Sequence, residues 1–217
     1  MVEGLLLGIP ALLFALTCHE VAHGYVAKRL GDPTASELGR LSLNPLKHIS
    51  PFGTVIFPLM LRLSGAPFVI GWAKPVPVDP RYFRNPIRGM MWVGMAGPAT
   101  NFILAAISGL LFRLLSSINL GLSMLLEFIF IFMLINLFLG FFNLIPIPPL
   151  DGSRIVAAIL PKALAIQYIR LERLAMPLLM LVFLLSYLGL IDVNPLFNSI
   201  FRLAVRSVEF LTGFNLV

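Results

Sequence analysis

Long apolar runs alternate along this chain with short polar segments punctuated by proline and glycine. Leu5 to Ala27 is apolar almost throughout and closes on Lys28 and Arg29. Such a run predicts a membrane-crossing helix, because about 20 apolar residues rising 1.5 Å each match the hydrocarbon thickness of a bilayer. Gly31 to Ser50 is polar, with Gly, Pro and Asn marking turns. Pro51 to Trp72 is apolar again but broken by Gly53, Pro58, Arg62, Gly65 and Pro67, and Lys74 to Arg88 is a second basic loop. Gly89 to Leu115 and Leu122 to Leu144 predict two further helices. The proline-rich stretch NLIPIPPLDGSRI, Asn143 to Ile155, leads into a short polar helix or loop ending near Arg173. Leu174 to Ile191 is a hydrophobic span, and a last apolar segment, Pro195 to Leu211, carries Arg202 and Arg206. There is no internal repeat, low-complexity tract or appended soluble domain. The chain therefore predicts one membrane-embedded domain over residues 1–217, with a core at about 4–155 and additional C-terminal helices at about 156–217.

The fold expected is an all-α polytopic membrane protein, a bundle of about five transmembrane helices. Composition agrees: 59% of residues are hydrophobic and 12% charged, against about a quarter charged in soluble domains. The formal net charge of +6 would suggest a nucleic-acid partner in a soluble protein. Here the Lys and Arg residues gather in segments 28–50, 74–88 and 147–173, which is the positive-inside pattern of a membrane protein. The expected surroundings are the lipid bilayer of the cell membrane, with the basic segments cytoplasmic and the N-terminus outside. Two cytoplasmic loops flanking 51–72 mean that this stretch enters the membrane and returns. Its glycines and prolines suit a short re-entrant β-hairpin, covered by protein at that depth. Cys18 is the single cysteine, so no intrachain disulfide forms. The first apolar run lacks a basic leader and is read as retained rather than as a cleaved signal.

Ionisable groups interrupt the first helix in LTCHEVAHGY, Leu16 to Tyr25. His19 and His23 are four apart, one turn along one helix face. With Glu20 they form the H-E-x-x-H arrangement, in which two imidazoles bind zinc and the glutamate acts on water. Charge near the bilayer centre costs a few kcal/mol, so such groups are functional by default. Zinc wants a third protein ligand. His48 lies in a basic loop and reads as solvated, Glu37 sits among turn residues, and Glu127 falls at the opposite membrane face. Asp151 remains, at the depth of the histidines, after Pro146, Pro148 and Pro149 have stopped the helix. Gly152 lets the chain turn tightly beside it. Asp151 reads either as the third ligand or as an N-cap of the helix that follows. Cys18 reads as a small buried thiol, Asn136 as a helix-contact residue, Asn101 as a hydrogen bond across helices, and Gly94 and Gly97 as sites of close helix packing.

Four motifs in order, HEVAH, GWAKPVPV, AGPATN and NLIPIPPLDG, resemble the site-2 protease family of intramembrane zinc metalloproteases. The likeness runs from about Leu13 to Arg154. It implies one Zn2+ held by His19, His23 and Asp151, with Glu20 as general base and Asn143 as a catalytic polar group near the substrate. It also implies that 51–72, running into GWAKPVPV, is a membrane-re-entrant β element and that the substrate is a transmembrane protein. With no PDZ or CBS domain, the chain resembles the compact members. Two other classes compete: a membrane metal-ion transporter, and an inactive relative that binds transmembrane helices. A transporter needs no glutamate between its histidines and spreads polar groups across the membrane, whereas here they gather at one depth.

Overall fold

The computed structural model describes residues 2–63, 71–118 and 121–214, with side chains from residue 6 onward. Among the described residues every regular element is helical. Helix α1 (Val2–Arg29) leads into a one-turn helix α2 (Thr34–Glu37), and α3 (Phe57–Leu63) follows a wide π-type turn at Pro51–Ile56. Then come α4 (Pro86–Ile118), α5 (Ser123–Asn143), α6 (Asp151–Ile159), α7 (Lys162–Arg170), α8 (Glu172–Tyr187) and α9 (Asn194–Thr212). Among the described residues, three helices are long and apolar enough to cross a membrane: Leu6–Arg29, Pro86–Ile118 and Ser123–Asn143.

Helix α4 is the hub, packing on α1, α5, α6 and α9. Its inward face is small or polar, with Gly94, Gly97, Asn101, Ala105 and Gly109 buried. Its outward face is apolar and exposed at Ile103, Ile107, Leu110 and Leu114. That distribution inverts a soluble helix, and it is expected where lipid is the solvent and small residues let backbones approach. Helix α1 shows the same logic. Ala11, Ala15, His19, His23 and Ala27 recur at intervals of four and are all buried. The alanines at 11 and 15 pack beside Phe132 of α5, and Ala27 beside Val93 and Phe83.

The structure departs from the expected hairpin. Residues 51–63 are helical, 64–70 lie outside the described residues, and 71–79 carry no regular element. The reason is local. Ser50 Oγ accepts the Gly53 N–H at 3.1 Å, and Pro51 occupies the first helical position. A serine cap followed by proline starts a helix. The glycine that suggested a turn instead admits Trp72, whose ring lies 2.4 Å from where a Gly53 Cβ would sit.

The C-terminal helices also differ from five crossings. Helix α9 begins where Phe197 stacks on Phe142 (5.9 Å) and ends where Phe214 meets Phe112 (6.0 Å). It therefore runs antiparallel to α5 from that helix's C-terminal end. Helix α8 starts at this end too, where Arg154 pairs with Glu172 at 3.8 Å. Near its other end Phe183 packs on Phe197 at 6.4 Å. Both ends of α8 thus lie at one end of the bundle, and its 16 residues, about 24 Å of helix, run across that end. Residues 188–193 sit there as well, not at the opposite face. Hydropathy measures the length of an apolar run, not its direction.

Candidate metal centre

The i, i+4 stripe of α1 delivers two imidazoles to the centre of the bundle, and the first residue of α6 meets them. His19 Nε2 lies 3.1 Å and His23 Nε2 3.3 Å from Asp151 Oδ2. Their relative exposures are 4%, 6% and 7%, so bulk water does not separate them. The rings stand edge to face with centroids 4.6 Å apart.

The far side of each ring is held. His23 Nδ1 donates to the Val93 carbonyl at 2.6 Å. A carbonyl only accepts, so Nδ1 carries the proton and Nε2 turns a lone pair toward Asp151. His19 Nδ1 meets Asn101 Oδ1 at 2.5 Å. Asp151 Oδ2 is buried with no hydrogen-bond partner. A buried anionic oxygen facing imidazole nitrogens needs positive charge between them. The donor set, two imidazoles and a carboxylate whose candidate ligand atoms all lie within 4.8 Å of one another, suits a borderline-soft divalent ion such as zinc.

The backbone of α4 leaves this space open. A Cβ on Gly97 would fall 2.5 Å from His19 Cε1 and 2.6 Å from both His19 Nε2 and His23 Cε1. Gly97 thus accommodates the imidazoles and not only a neighbouring helix. Gly94 brings α6 in, with Asp151 O and Arg154 Cβ both 3.1 Å from its notional Cβ. Asp151 itself does not cap: Leu150 occupies the cap position of α6 and no side-chain cap bond forms. The proline-rich loop folds back so tightly that a Gly152 Cβ would lie 2.2 Å from Leu144 O, and Tyr168 of α7 pins it through Pro146 O at 2.6 Å.

Glu20 stands beside the cluster rather than in it. Its Oε2 accepts the Val76 N–H at 2.8 Å. Val76 lies between Pro75 and Pro77, so it carries the one N–H of that tripeptide. Segment 71–79 is moored on both sides of this contact. Lys74 N–H donates to His48 O at 2.8 Å, and Trp72 N–H to Gly53 O at 3.0 Å. Arg40 Nη2 donates to Lys74 O at 2.9 Å, and the buried Asp32 accepts the Asp79 N–H at 2.7 Å.

Asn143 is the last residue of α5, half-buried, and its Nδ2 donates to Leu139 O at 3.0 Å. Nothing joins it to the histidines or Asp151. His48 corrects the expectation of a solvated loop residue: it is 3% exposed, with Nε2 bonded to Ser42 O at 2.8 Å. Glu37 and Glu127 are exposed and stand apart from the cluster, and Cys18 is half-buried rather than fully enclosed. Sequence reasoning missed Val93 O, Val76, Arg40 and Asp32. The Pro75-Val76-Pro77 pattern was a readable sign, because proline both removes donors and holds the preceding residue extended. A backbone carbonyl leaves no mark in a sequence.

Comparison with known proteins gives a consistent result. The family model described as peptidase family M50 matches residues 115–186, which include Asp151 but not the paired histidines. The putative zinc metalloprotease YwhC of Bacillus subtilis is 37% identical over 199 residues, 88% of this chain and 85% of that protein. The putative zinc metalloprotease Rip2 of Mycolicibacterium smegmatis is 34% identical over 47% of this chain and 38% of its own length. The zinc metalloprotease MJ0392 of Methanocaldococcus jannaschii is 28% identical over 84% of this chain and 42% of its own length. No solved structure matches. The likeness to YwhC runs through most of both chains, and the chain belongs to peptidase family M50, the site-2 protease family.

Proposed function

We propose that this protein is an intramembrane zinc metalloprotease that hydrolyses a peptide bond within or near a transmembrane segment of a membrane-protein substrate. The observation that carries this reading is the orphaned, buried Asp151 Oδ2 facing His19 Nε2 and His23 Nε2. His19, His23 and Asp151 would hold the zinc ion, which when bound supplies Lewis-acid polarisation of the scissile carbonyl and makes water more acidic. Glu20 takes a proton from water and returns it to the leaving nitrogen. The Val76 N–H holds one carboxylate oxygen, Oε2, and leaves Oε1 for that transfer. Asn143 would face the unwound substrate, its second amide proton free to stabilise negative charge on the carbonyl oxygen.

A helical substrate must unwind before its carbonyl can be attacked, which exposes unpaired backbone groups. Segment 71–79, moored along its length and passing Glu20, offers an edge on which an extended peptide can pair. Nine and five residues separate His19 and His23 from Lys28, so the site lies about 14 and 8 Å along α1 from its basic end. By the charge pattern that end is cytoplasmic in the cell membrane, and water enters there. Helix α9, laid along α4 and α5, would make a fourth crossing.

The test is zinc content and cleavage of a single-span protein by wild type and Glu20→Gln, both purified in detergent. About one zinc in each, with cleavage by wild type alone, is the expected result. Full cleavage by E20Q would sink the base assignment. Zinc in both with cleavage by neither would favour a binding or transport role.

A further inference from the structure

We infer that Asn101 is a positioning residue that sets the tautomer of His19 through a relay of two buried amides, an inference that rests on the metal-site reading above. An amide side chain can point its oxygen either way, so a bond between Asn101 and His19 does not by itself say which group donates. The far end of the relay decides. Asn136 Nδ2 lies 2.8 Å from the Phe132 carbonyl, which can only accept. Asn136 must therefore turn its oxygen toward α4, where it accepts Asn101 Nδ2 at 2.8 Å. With its nitrogen committed, Asn101 presents Oδ1 to His19. His19 Nδ1 is then the protonated nitrogen, and the Nε2 lone pair faces Asp151 Oδ2. Both asparagines are 0% exposed, so no bulk water stands in when either is lost.

The two histidines thus reach one state by different routes. His23 is held directly by a backbone carbonyl, which no substitution of a side chain removes. His19 depends on two side chains from two helices. A flipped Asn101 would set an N–H against Nδ1, draw the proton to Nε2 and block a ligand position. The outer-shell partner of a ligating histidine fixes tautomer and ring orientation, and its loss costs about 10–100-fold in metal affinity.

The experiment measures zinc affinity of the purified full chain in detergent by competition with a chromophoric chelator. Wild type, Asn101→Leu, Asn101→Asp, Asn136→Leu, Asn136→Asp and His19→Ala are compared, each with a thermal melt. Asn101→Leu is expected to bind zinc about 10–100-fold more weakly. Asn101→Asp keeps an acceptor toward Nδ1–H and, as a buried carboxylic acid, turns its hydroxyl to Asn136 Oδ1, so it is expected to bind as wild type does. Asn136→Asp, a buried carboxylic acid that donates to the Phe132 carbonyl, also keeps Asn101 correctly turned and should retain affinity, whereas Asn136→Leu frees Asn101 to flip and should lose it. Wild-type affinity in N101L, or equal loss in N101L and N101D, overturns the inference, the second outcome marking a packing role. If N101L does not fold, the Asn136 pair decides: equal affinities in N136L and N136D overturn it. Zinc held equally by wild type and His19→Ala, or by neither, overturns the metal-site reading and this inference with it.

Discussion

Gly97→Ala is the sharpest test of how closely α4 is fitted to the metal centre. The added methyl carbon would stand 2.5 Å from His19 Cε1, 2.6 Å from His19 Nε2 and 2.6 Å from His23 Cε1. Carbon atoms rest at about 3.5–4.0 Å, so both imidazoles or the α4 backbone must retreat by about 1 Å. Neither ring is free to retreat: each is tied to α4 by a short hydrogen bond, to Asn101 Oδ1 or Val93 O, that retreat would stretch. Metal–ligand distances tolerate about 0.2 Å, far less than the displacement. Overpacking of this kind costs about 1–3 kcal/mol, and the same strain charged to the site lowers zinc affinity by roughly tenfold to a hundredfold. Chelator competition measures it, and Gly8→Ala is the control, because nothing lies within 4 Å of a Cβ there. A G97A protein that binds zinc as tightly as wild type would refute the reasoning, for it would mean that the ligand cluster can move without cost.

Val76→Pro removes the N–H that meets Glu20 Oε2 in a segment already bracketed by prolines. A hydrogen bond to a charged group is worth about 1.5–3 kcal/mol. Cleavage should fall roughly tenfold to a hundredfold with zinc content unchanged, and unchanged cleavage would show that the contact does not orient the base. Gly152→Ala would place a methyl 2.2 Å from Leu144 O, a backbone atom that cannot swing aside as a side chain can. The loop must open and carry Asp151 from the histidines, so both melting temperature and zinc content should drop. A melt and metal analysis matching wild type would contradict the tight fold-back.

Much of the site was written in residue types. H-E-x-x-H on an apolar helix required a reason for burying charge, and the prolines before Asp151 marked a halted helix returning to the same depth. The resemblance to site-2 proteases rested on these and on GWAKPVPV and AGPATN, and similarity to YwhC supports it. Other features were misread for identifiable causes. Glycines in 51–72 suggested a hairpin, but Ser50 and Pro51 start a helix, a local capping signal outweighed by the apolar breaks around it. The polar neighbours of His48 suggest a solvated ring, yet that ring bonds Ser42 O and its carbonyl holds Lys74. The apolar run of α8 suggests a crossing, although both its ends lie at one end of the bundle.

The sequence by itself determined that this is a membrane chain, that α1 carries two imidazoles on one face, and that Asp151 follows a broken helix. Those features follow from run length, helical period and proline chemistry, which act within a few residues of their source. Only the tertiary structure decided that Asp151 faces the histidines rather than capping α6. It also decided which acceptor stands behind each imidazole, that Val76 meets Glu20, and which way α8 and α9 run. These depend on groups far apart in sequence meeting in space: Val76 meets Glu20 across 56 residues, Asn101 meets His19 across 82, and Asp151 reaches the histidines from farther still. Such meetings are set by how small residues let helices approach and by where buried polar groups find partners, and no local pattern records them.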